Sequence, residues 1–358
     1  MYKMMTPGPT QVRENVRMAR SLEFQNPDLD ADFCEYYKET CLLASELLHT
    51  KNETLILDGE GILGLEAACA SITEPGDRVL VIDNGLYGES FKDFVTMYGG
   101  ISTLYTVDYD NPVDPEKLAE YLKEQHDFKY ATVVHCDTPS GMLNDISKIC
   151  PLLKSYGILT VVDSVSAMFG EEVRADDYRI DILCGGSQKA ISAPPGLTIV
   201  TISQDAKDVM NQRKTPIASF YANLKVFEHY YEEKWFPYTM PASDIYGLRQ
   251  ALENIKNDPE HLKRHEKVAE KTRTTLKEMG LTLYPHSGYS NTVTTFEVPE
   301  GFTDKEILSK MRNDYNILLA GSFGCFGGKL IRIGHMGESA NEKDVDEVLQ
   351  ALKEILKK

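Results

Sequence analysis

The sequence predicts an α/β protein with a large sheet domain and a smaller C-terminal α+β domain. Six short apolar stretches between residues 54 and 202 alternate with stretches of helix length. Apolar strands that alternate with helices are typical of a parallel sheet covered by helices on both faces. After about residue 243 the pattern changes to a long charged helical stretch that leads into two further strand candidates.

The strand candidates of the large domain consist mostly of apolar and β-branched residues, which favour strands. They are TLIL (54–57), RVLVI (78–82), YATVVH (130–135), ILTVV (158–162), IDILC (180–184) and LTIVTI (197–202). Between them lie helix-length stretches such as LGLEAACASI (63–72), PEKLAEYLKE (115–124) and ISKICPLLKSYG (146–157). Because ligands of such sheets bind at the carboxyl ends of the strands, the residues that follow each strand are candidates for function.

The chain has 358 residues, more than a single hydrophobic core normally serves. We expect an N-terminal segment over residues 1–20 that contributes to the active site or to the small domain. A large domain would then cover residues 21–250 and a small C-terminal domain residues 251–358. In the small domain, helical segments follow the strand candidates TVTTFEV (292–298) and KLIRIG (329–334).

Charge and composition limit the classes of partner. The formal net charge is −17, which argues against nucleic acid and against an anionic membrane surface. It does not exclude an anionic small molecule, because a helix terminus or one arginine determines the local potential.

The cysteines and the chain start indicate a compartment. The seven cysteines form no CxxC pair and have no metal-like spacing, so we expect free thiols, a reducing compartment and no metal. The start MYKMMTPGPT has no apolar signal region, and no apolar run approaches the roughly 18 residues of a membrane helix. We therefore expect a cytoplasmic protein.

A glycine-rich turn follows the first strand candidate. DGEGILG (58–64) matches GxGxxG, and Asp83 ends the next strand, so the pair satisfies the dinucleotide fingerprint. More generally, such a turn directs backbone N–H groups and a helix N-terminus at an anion. The anion is either a pyrophosphate or a single phosphate. We expect the side chain of Glu60 to turn away from it.

Two further polar side chains follow neighbouring strand candidates. Asp163 comes directly after ILTVV; it is either a helix N-cap or a carboxylate that pairs with a heterocyclic nitrogen. Lys189 lies in CGGSQKAISAPPG (184–196); it is either a surface lysine or a partly desolvated amine that forms a Schiff base. A carboxylate, a lysine and a phosphate-binding turn at one sheet edge are what pyridoxal phosphate needs.

The two segments VDSVSAMFG (162–170) and IDILCGGSQKAISAPPG (180–196) resemble the class V aminotransferases of fold type I. Within that family the sequence is most similar to the alanine–glyoxylate and serine–pyruvate aminotransferase branch. The resemblance extends from TPGPT (6–10) to LIRIGHMG (330–337). It implies a mixed, mostly parallel sheet, pyridoxal 5′-phosphate as cofactor, and a homodimer with a shared active site.

The resemblance also implies a role for individual residues. Lys189 would form the Schiff base and act as the proton-transfer base, and Asp163 would pair with the pyridine nitrogen. Arg332 would bind the substrate carboxylate through two parallel hydrogen bonds, and Gly8 would line the substrate side through its backbone. The other cofactor contacts would be Glu60, Gly61 and Ile62 through loop amides at the phosphate, Gln188 beside the phosphate, Tyr87 stacked on one ring face, Val165 against the other, Thr138 at the ring hydroxyl, and Thr239 at the phosphate of the neighbouring subunit.

Three departures from the family pattern concern the site. Glu60 stands where a small hydroxyl residue is common, so its phosphate contact would involve only its backbone. FQNPDL (24–29) replaces the frequent His-Arg-x-Pro-Glu-Phe segment, and Phe236 replaces a frequent Tyr. Since the N-terminal segment borders the substrate, the donor preference need not match that of the better-known members.

The function predicted is transfer of an amino group from a small amino acid, of the alanine or serine type, to glyoxylate or pyruvate. Within the family the alternatives are a 2-aminoethylphosphonate–pyruvate aminotransferase, which would need a further cationic site, and an aspartate aminotransferase. A cysteine desulfurase usually has His before the lysine, where this chain has Gln188, and the surroundings of Cys325 in SFGCFGG do not resemble its loop. From other classes, an NAD-dependent dehydrogenase would explain GEGILG but not Lys189, and a non-enzymatic binding module would explain none of these features.

Overall fold

The computed structural model describes residues 2–23 and 26–357, and its strands and helices lie within those two ranges. The strands are β1 (Lys3–Met4), β2 (Glu53–Asp58), β3 (Arg78–Asp83), β4 (Ile101–Thr106), β5 (Tyr130–Val134), β6 (Cys136–Asp137), β7 (Met142–Leu143), β8 (Leu159–Asp163), β9 (Ile182–Gly186), β10 (Leu197–Ile202), β11 (Val293–Glu297), β12 (Ile317–Leu318), β13 (Ala320–Gly321) and β14 (Leu330–Gly334). The helices are α1 (Glu14–Ala19), α2 (Ala31–Leu47), α3 (Gly61–Ile72), α4 (Leu86–Met97), α5 (Pro115–Glu124), α6 (Ile146–Ser155), α7 (Gln204–Asn211), α8 (Tyr230–Glu233), α9 (Ala242–Lys256), α10 (His261–Glu278), α11 (Asp304–Tyr315) and α12 (Glu342–Leu356).

A seven-stranded sheet, in the order β2-β10-β9-β8-β5-β3-β4, forms the centre of the larger part of the described chain. All its neighbouring strands are parallel except β10, which is antiparallel to both β2 and β9. The prediction of a mixed, mostly parallel sheet with helices is therefore confirmed. Every residue of β5, β8, β9 and β10 is buried, as expected for strands covered on both faces.

Two strands of the large sheet differ from the sequence prediction. The strand β4 was missed, because it is an edge strand with no buried residue and its sequence, ISTLYT, mixes apolar with polar residues. The strand predicted at IDILC begins at Ile182 and continues through both glycines to Gly186, where it pairs with β10. The residues that follow β9 therefore start at Ser187, directly before Gln188 and Lys189.

The dinucleotide interpretation of GEGILG is wrong. The first strand of a dinucleotide unit lies between parallel strands of the sheet, whereas β2 is an edge strand paired with the antiparallel β10. Asp83, the acidic residue of the fingerprint, is also bound within the protein. The Asp83 carboxylate accepts hydrogen bonds from the hydroxyls of Thr106 at 2.9 Å and Tyr109 at 2.6 Å.

The helix α3 begins at the glycine-rich turn and packs on β8, β9 and β10. Its sequence GILGLEAACASI is apolar nearly all round, and nine of its twelve residues are buried, as expected for a helix covered by protein on most sides. Its N-terminus is thereby held at the carboxyl edge of the sheet. Among the described helices, none is both long and apolar enough to cross a membrane.

A second hydrophobic cluster forms beyond the large sheet. The charged stretch after residue 242 is two helices, because Pro259 lies between α9 and α10 and disfavours a continuous helix. The strands β11, β14 and β13 form an antiparallel sheet. Its cluster includes Met5, Phe296 and Ile331, while α9 packs on α1 and α2. The domain boundaries at residues 20 and 250 stay a prediction, since α9 extends past residue 250.

Candidate active site

A cavity of about 240 Å³ lies at the carboxyl edge of the large sheet. Residues that follow β2, β3, β5, β8 and β9 line it, so the strand order itself brings distant sequence segments together. All predicted cofactor residues except Gly61 and Thr239 are among them. The lining residues are Glu60, Ile62, Leu65, Tyr87, Cys136, Thr138, Asp163, Val165, Ser166, Gln188 and Lys189.

Asp163 is the last residue of β8 and is buried. Its Oδ1 atom accepts a hydrogen bond from the backbone N–H of Val165 at 2.9 Å. Burial raises the pKa of Asp163 to about 7, although the Val165 hydrogen bond and the charge of Lys189 act in the opposite direction. A buried carboxylate of this pKa regains its charge when a protonated base lies beside it, as a pyridinium nitrogen would.

Lys189 follows β9 by three residues, and its Nζ atom donates to the carbonyl oxygen of Pro7 at 2.6 Å. Burial, and next the positive charge of Arg332, lower the pKa of Lys189 to about 8, while Asp163 opposes the shift. Near neutral pH a minor fraction of the amine is therefore neutral, but a much larger one than for an ordinary lysine. A neutral amine is the form that attacks a carbonyl carbon or accepts a proton.

The N-terminal segment runs directly over the lysine. Gly8 has φ +90°, and a Cβ atom there would lie 2.4 Å from Cδ of Lys189, so only glycine fits. The backbone N–H of Thr10 donates to the carbonyl of Gln188 at 3.1 Å, and its hydroxyl donates to the carbonyl of Lys189 at 3.1 Å. Since Gly334 of β14 donates to the carbonyl of Met5 at 2.8 Å, this segment connects the lysine with the strand of Arg332.

Arg332 is in the middle of β14 and is buried, with 9% of its surface exposed. Its Nε and Nη2 atoms donate to the carbonyl of Gly321 at 2.9 and 2.7 Å, and Nη1 lies 3.5 Å from the carbonyl of Thr138. The guanidinium also lies over the Phe323 ring, 5.6 Å from its centroid. Arg332 is therefore not a surface residue. Arg332 does not line the cavity itself but reaches its edge at Thr138.

Tyr87 belongs to the first turn of α4, whose start is fixed by a side chain that the sequence analysis did not select. The backbone N–H of Tyr87 donates to Oδ1 of Asp137 at 3.0 Å, and the hydroxyl of Ser140 donates to Oδ2 of Asp137 at 2.7 Å. The Tyr87 ring lies edge-on to Phe323, with the centroids 6.2 Å apart. Asp137 thus positions Tyr87 in the wall of the cavity beside Thr138.

Glu60 does not turn away from the start of α3, and that expectation is wrong. Its Oε1 atom accepts a hydrogen bond from the backbone N–H of Ile62 at 3.1 Å. Its Oε2 atom accepts one from Nε2 of Gln188 at 3.1 Å. The carboxylate therefore caps the helix itself, because a negative charge is stabilised by the free N–H groups and dipole at a helix N-terminus.

Two predicted cofactor residues lie outside the cavity lining. Gly61 is buried, and a Cβ atom there would lie 2.7 Å from Cγ2 of Val165, so glycine allows close packing below the cavity. Thr239 is exposed, and its hydroxyl donates to Oδ2 of Asp28 at 2.8 Å. Of the FQNPDL segment, residues 24 and 25 lie outside the described residues, and Phe236 is buried against the rings of Phe33, Tyr37 and Tyr230.

Ser166 is the polar lining residue that the sequence analysis missed. It lies in the same VDSVSAMFG segment as Asp163, and its buried Oγ atom has no hydrogen-bond partner among the described residues. The buried Oε1 atom of Gln188 is also without a partner there. Since buried polar atoms are normally hydrogen-bonded, such atoms in a cavity indicate contacts that a bound molecule supplies. Its position three residues after Asp163 in the same segment was the signal in the sequence that could have identified Ser166 as a lining residue.

The ring end of the cavity fits a substituted pyridine aldehyde. Asp163 is suited to a ring nitrogen, Lys189 to the aldehyde, and Tyr87 and Val165 supply apolar walls. The phosphate end would use the N–H groups at the start of α3, of which that of Ile62 is bound to Glu60. The residues therefore fit pyridoxal phosphate with one condition, that the Glu60 carboxylate gives up this N–H.

Comparison with known proteins agrees with this geometry. The family model for class V aminotransferases matches residues 16–346. The chain is 35% identical to an uncharacterized aminotransferase of Methanocaldococcus jannaschii over 99% of this chain and 92% of that protein. It is 34% identical to the pyridoxamine–pyruvate transaminase of Mesorhizobium japonicum over 94% of this chain and 86% of that protein. The crystal structure of an alanine–glyoxylate aminotransferase from Nostoc superposes with a TM-score of 0.95 at 27% identity, covering 99% of this chain and 95% of that one.

The matched range includes every strand of the large sheet and both lysine and aspartate segments. The resemblance seen in VDSVSAMFG and GSQKAISAPPG is confirmed, as are the fold and the cofactor that it implied. The chain belongs to the class V aminotransferase family, and it is a pyridoxal-phosphate-dependent aminotransferase of fold type I.

Proposed function

We propose that this enzyme transfers an amino group from a small amino acid, of the alanine or serine type, to glyoxylate or pyruvate. The main support is one observation: a lysine of lowered pKa and a carboxylate of raised pKa line the same cavity, with a buried arginine at its edge. Alanine, glyoxylate and pyruvate appear in the names of the similar proteins.

When bound, pyridoxal phosphate supplies an aldehyde for covalent attachment and a ring that accepts electron density. Lys189 would hold the cofactor through its amine, and the same amine would accept a proton from the Cα atom of the donor; both roles require its neutral form. Asp163 would hold a proton at the ring nitrogen, and the buried position of its carboxylate would strengthen this ionic hydrogen bond. Tyr87 and Val165, which line the cavity, would keep water from the ring.

Arg332 would bind the substrate carboxylate. Its guanidinium is buried and held by the carbonyl of Gly321, so its orientation is fixed before substrate arrives. The carbonyl of Gly321 accepts from only part of the five N–H donors of the Arg332 guanidinium. The positive charge also lowers the pKa of Lys189, and a bound carboxylate would offset that effect. Substrate binding and the protonation of Lys189 are therefore coupled.

The alternatives within the fold have less support. A phosphonate donor would need a second cation, and Lys189 is the only cationic side chain among the described lining residues. Desulfuration would need a reactive cysteine at the cavity. Cys136 lines the cavity, but it is buried, and burial raises the pKa of its thiol to about 12, so it is poorly suited to act as a thiolate. Cys325 is exposed and lines a different cleft, together with Tyr109 and Tyr284.

Pyridoxamine is a second candidate donor. It is named in the Mesorhizobium relative together with pyruvate, and it has no phosphate. One observation favours it: the carboxylate of Glu60 is bound to an N–H group that a phosphate would otherwise use.

We further propose that the enzyme is a cytoplasmic homodimer in which Thr239 reaches the partner's phosphate site. Thr239 is exposed, and large apolar side chains are exposed on the same segment and near it, namely Leu29, Phe220, Tyr221 and Trp235. Exposed apolar patches of this kind mark association surfaces. A cytoplasmic location agrees with the seven cysteines, all of which are free thiols.

A donor screen tests the proposed function. Purified protein loaded with pyridoxal phosphate should show a visible absorbance band, and alanine or serine should bleach it while glyoxylate or pyruvate restores it. Aspartate and 2-aminoethylphosphonate serve as comparison donors, and pyridoxamine is tested with ligand-free protein. If no donor bleaches the band and none forms product, aminotransfer by this chain is refuted. Bleaching by 2-aminoethylphosphonate alone would replace the proposed donor class.

A further inference from the structure

We propose that Glu60 removes the advantage of a phosphate group in this cavity, so that unphosphorylated pyridine ligands such as pyridoxal and pyridoxamine bind as well as their phosphate esters. The inference rests on the proposed function, because it concerns the same cavity, and it names the chemical class that the phosphate end accepts. It depends on contacts of Glu60 and Gln188 and on the charges around them.

The N–H groups at the start of α3 are already partly occupied by Glu60. A phosphate binds a helix N-terminus through the N–H groups that have no partner within the helix. In this chain the N–H of Ile62 donates to Oε1 of Glu60 at 3.1 Å, and the N–H of Leu63 donates to the carbonyl of Glu60 at 2.8 Å. A phosphate must therefore displace the carboxylate before it gains the Ile62 contact.

Gln188, which follows β9 and is 7% exposed, holds the Glu60 carboxylate in place. Its Nε2 atom donates to Oε2 of Glu60 at 3.1 Å, so it binds the second oxygen of the same carboxylate. Its Oε1 atom is buried and has no partner among the described residues. An acceptor without a partner is satisfied by an O–H donor. The hydroxymethyl group of an unphosphorylated ligand is such a donor, whereas a phosphate dianion is not.

A phosphate group would also add negative charge to the cavity, about −1.5 to −2 at pH 7. Among the described lining residues the side-chain carboxyl groups are those of Glu60 and Asp163, and the one amine is that of Lys189. Lys189 is used by the aldehyde, and Asp163 by the ring nitrogen. Glu60 therefore adds a negative charge beside the phosphate, and like charges that share a site disfavour each other.

The test compares pyridoxine with pyridoxine 5′-phosphate, measured by calorimetry on full-length protein freed of ligand. Neither ligand has an aldehyde or an amine, so binding does not depend on Lys189 chemistry or on aminotransfer. We expect wild type to bind the two with similar Kd. In Glu60→Ser and Glu60→Gln the phosphate ester should gain about 10- to 100-fold over pyridoxine, the range expected for freeing one hydrogen-bond site from a charged group.

Glu66→Gln is the matched control, since Glu66 lies on the same helix but accepts a hydrogen bond from the Tyr98 hydroxyl away from the cavity. It should leave the ratio of the two Kd values unchanged. Glu60→Gln keeps the side-chain shape, so it remains informative if the serine variant does not fold. A wild-type preference for the ester of tenfold or more, or a ratio that stays constant in both Glu60 variants, overturns the inference. Either result leaves the donor screen unaffected, so the two proposals fail separately.

Discussion

The two ends of the cavity differ in how they treat charge. At the ring end, Asp163 and Lys189 face a common space, and burial moves the pKa of each toward neutrality, to about 7 and about 8. At the other end, Glu60 places a negative charge on the helix terminus that would receive a phosphate. The ring end is thus arranged to exchange protons, whereas the phosphate end already contains its own anion. The family motifs correctly predict Asp163 and Lys189 at the ring end, whereas Glu60 at the phosphate end departs from the family pattern.

The largest expected effect is at the ring end. Lys189→Ala removes both the attacking amine and the proton acceptor, so the visible band should disappear and kcat should fall by about 10²–10⁴-fold for the proton transfer alone. Absorbance spectra and steady-state rates measure this. The control is Lys148→Ala, because Lys148 is exposed and pairs with Asp145. Retention of both the band and the rate would remove Lys189 from the chemistry.

Asp163→Asn should have the next largest effect. The variant keeps an oxygen for the Val165 N–H but loses the negative charge that would hold a proton at the ring nitrogen. We expect kcat to fall about 10²–10³-fold, as when one preorganised electrostatic contact is removed, while pyridoxal phosphate still binds. Asp145→Asn, at an exposed carboxylate, is the control. A normal kcat in Asp163→Asn would contradict the assigned pairing.

Arg332→Lys tests whether the Arg332 guanidinium binds the substrate carboxylate. The variant keeps the charge but loses the planar pair of N–H donors, so KM for a carboxylate substrate should rise about 10- to 100-fold with a smaller change in kcat. The matched control is Arg312→Lys, whose guanidinium lies over the Tyr2 ring. If KM does not change, the substrate carboxylate binds elsewhere.

The pH dependence of cofactor loading gives a smaller effect. Since the pKa of Lys189 is lowered to about 8, the neutral amine fraction rises with pH and levels off above that value. The rate at which added pyridoxal phosphate forms the visible band should increase about tenfold per pH unit below pH 8 and then become constant. Stopped-flow absorbance between pH 6 and 9 measures it. A profile without a change of slope in that range would show that Lys189 is not the titrating group.

The smallest effect concerns packing below the phosphate end. In Gly61→Ala, the new Cβ atom would lie 2.7 Å from Cγ2 of Val165, and we expect a loss of about 1–3 kcal/mol in the free energy of unfolding. Denaturant unfolding measures this loss. The double variant Gly61→Ala/Val165→Ala should recover part of it, because the second change removes the atoms in conflict. If the double variant is no more stable than Gly61→Ala, the loss of stability does not come from the contact with Val165.

Much of the fold followed from local sequence patterns. The strands around TLIL, RVLVI and LTIVTI agree with the structure within a residue at each end, because their apolar runs are buried on both faces. The edge strand β4 was missed, since serine and threonine interrupt its apolar residues and leave no continuous apolar run. The antiparallel direction of β10 also has no local signal. It depends on where the chain returns to the sheet between β2 and β9.

The sequence by itself determined the family, the sheet with its helices, and most of the residues that meet at one cavity, because strand ends and the GSQKAISAPPG and VDSVSAMFG segments are local features. Only the tertiary structure decided how those side chains interact. Three contacts depend on segments far apart in the chain. Lys189 binds the carbonyl of Pro7, Arg332 lies near the carbonyl of Thr138, and Glu60, which caps α3 at Ile62, binds Gln188. The shifted pKa values of Asp163 and Lys189 likewise arise chiefly from burial, which exists only once the chain has folded.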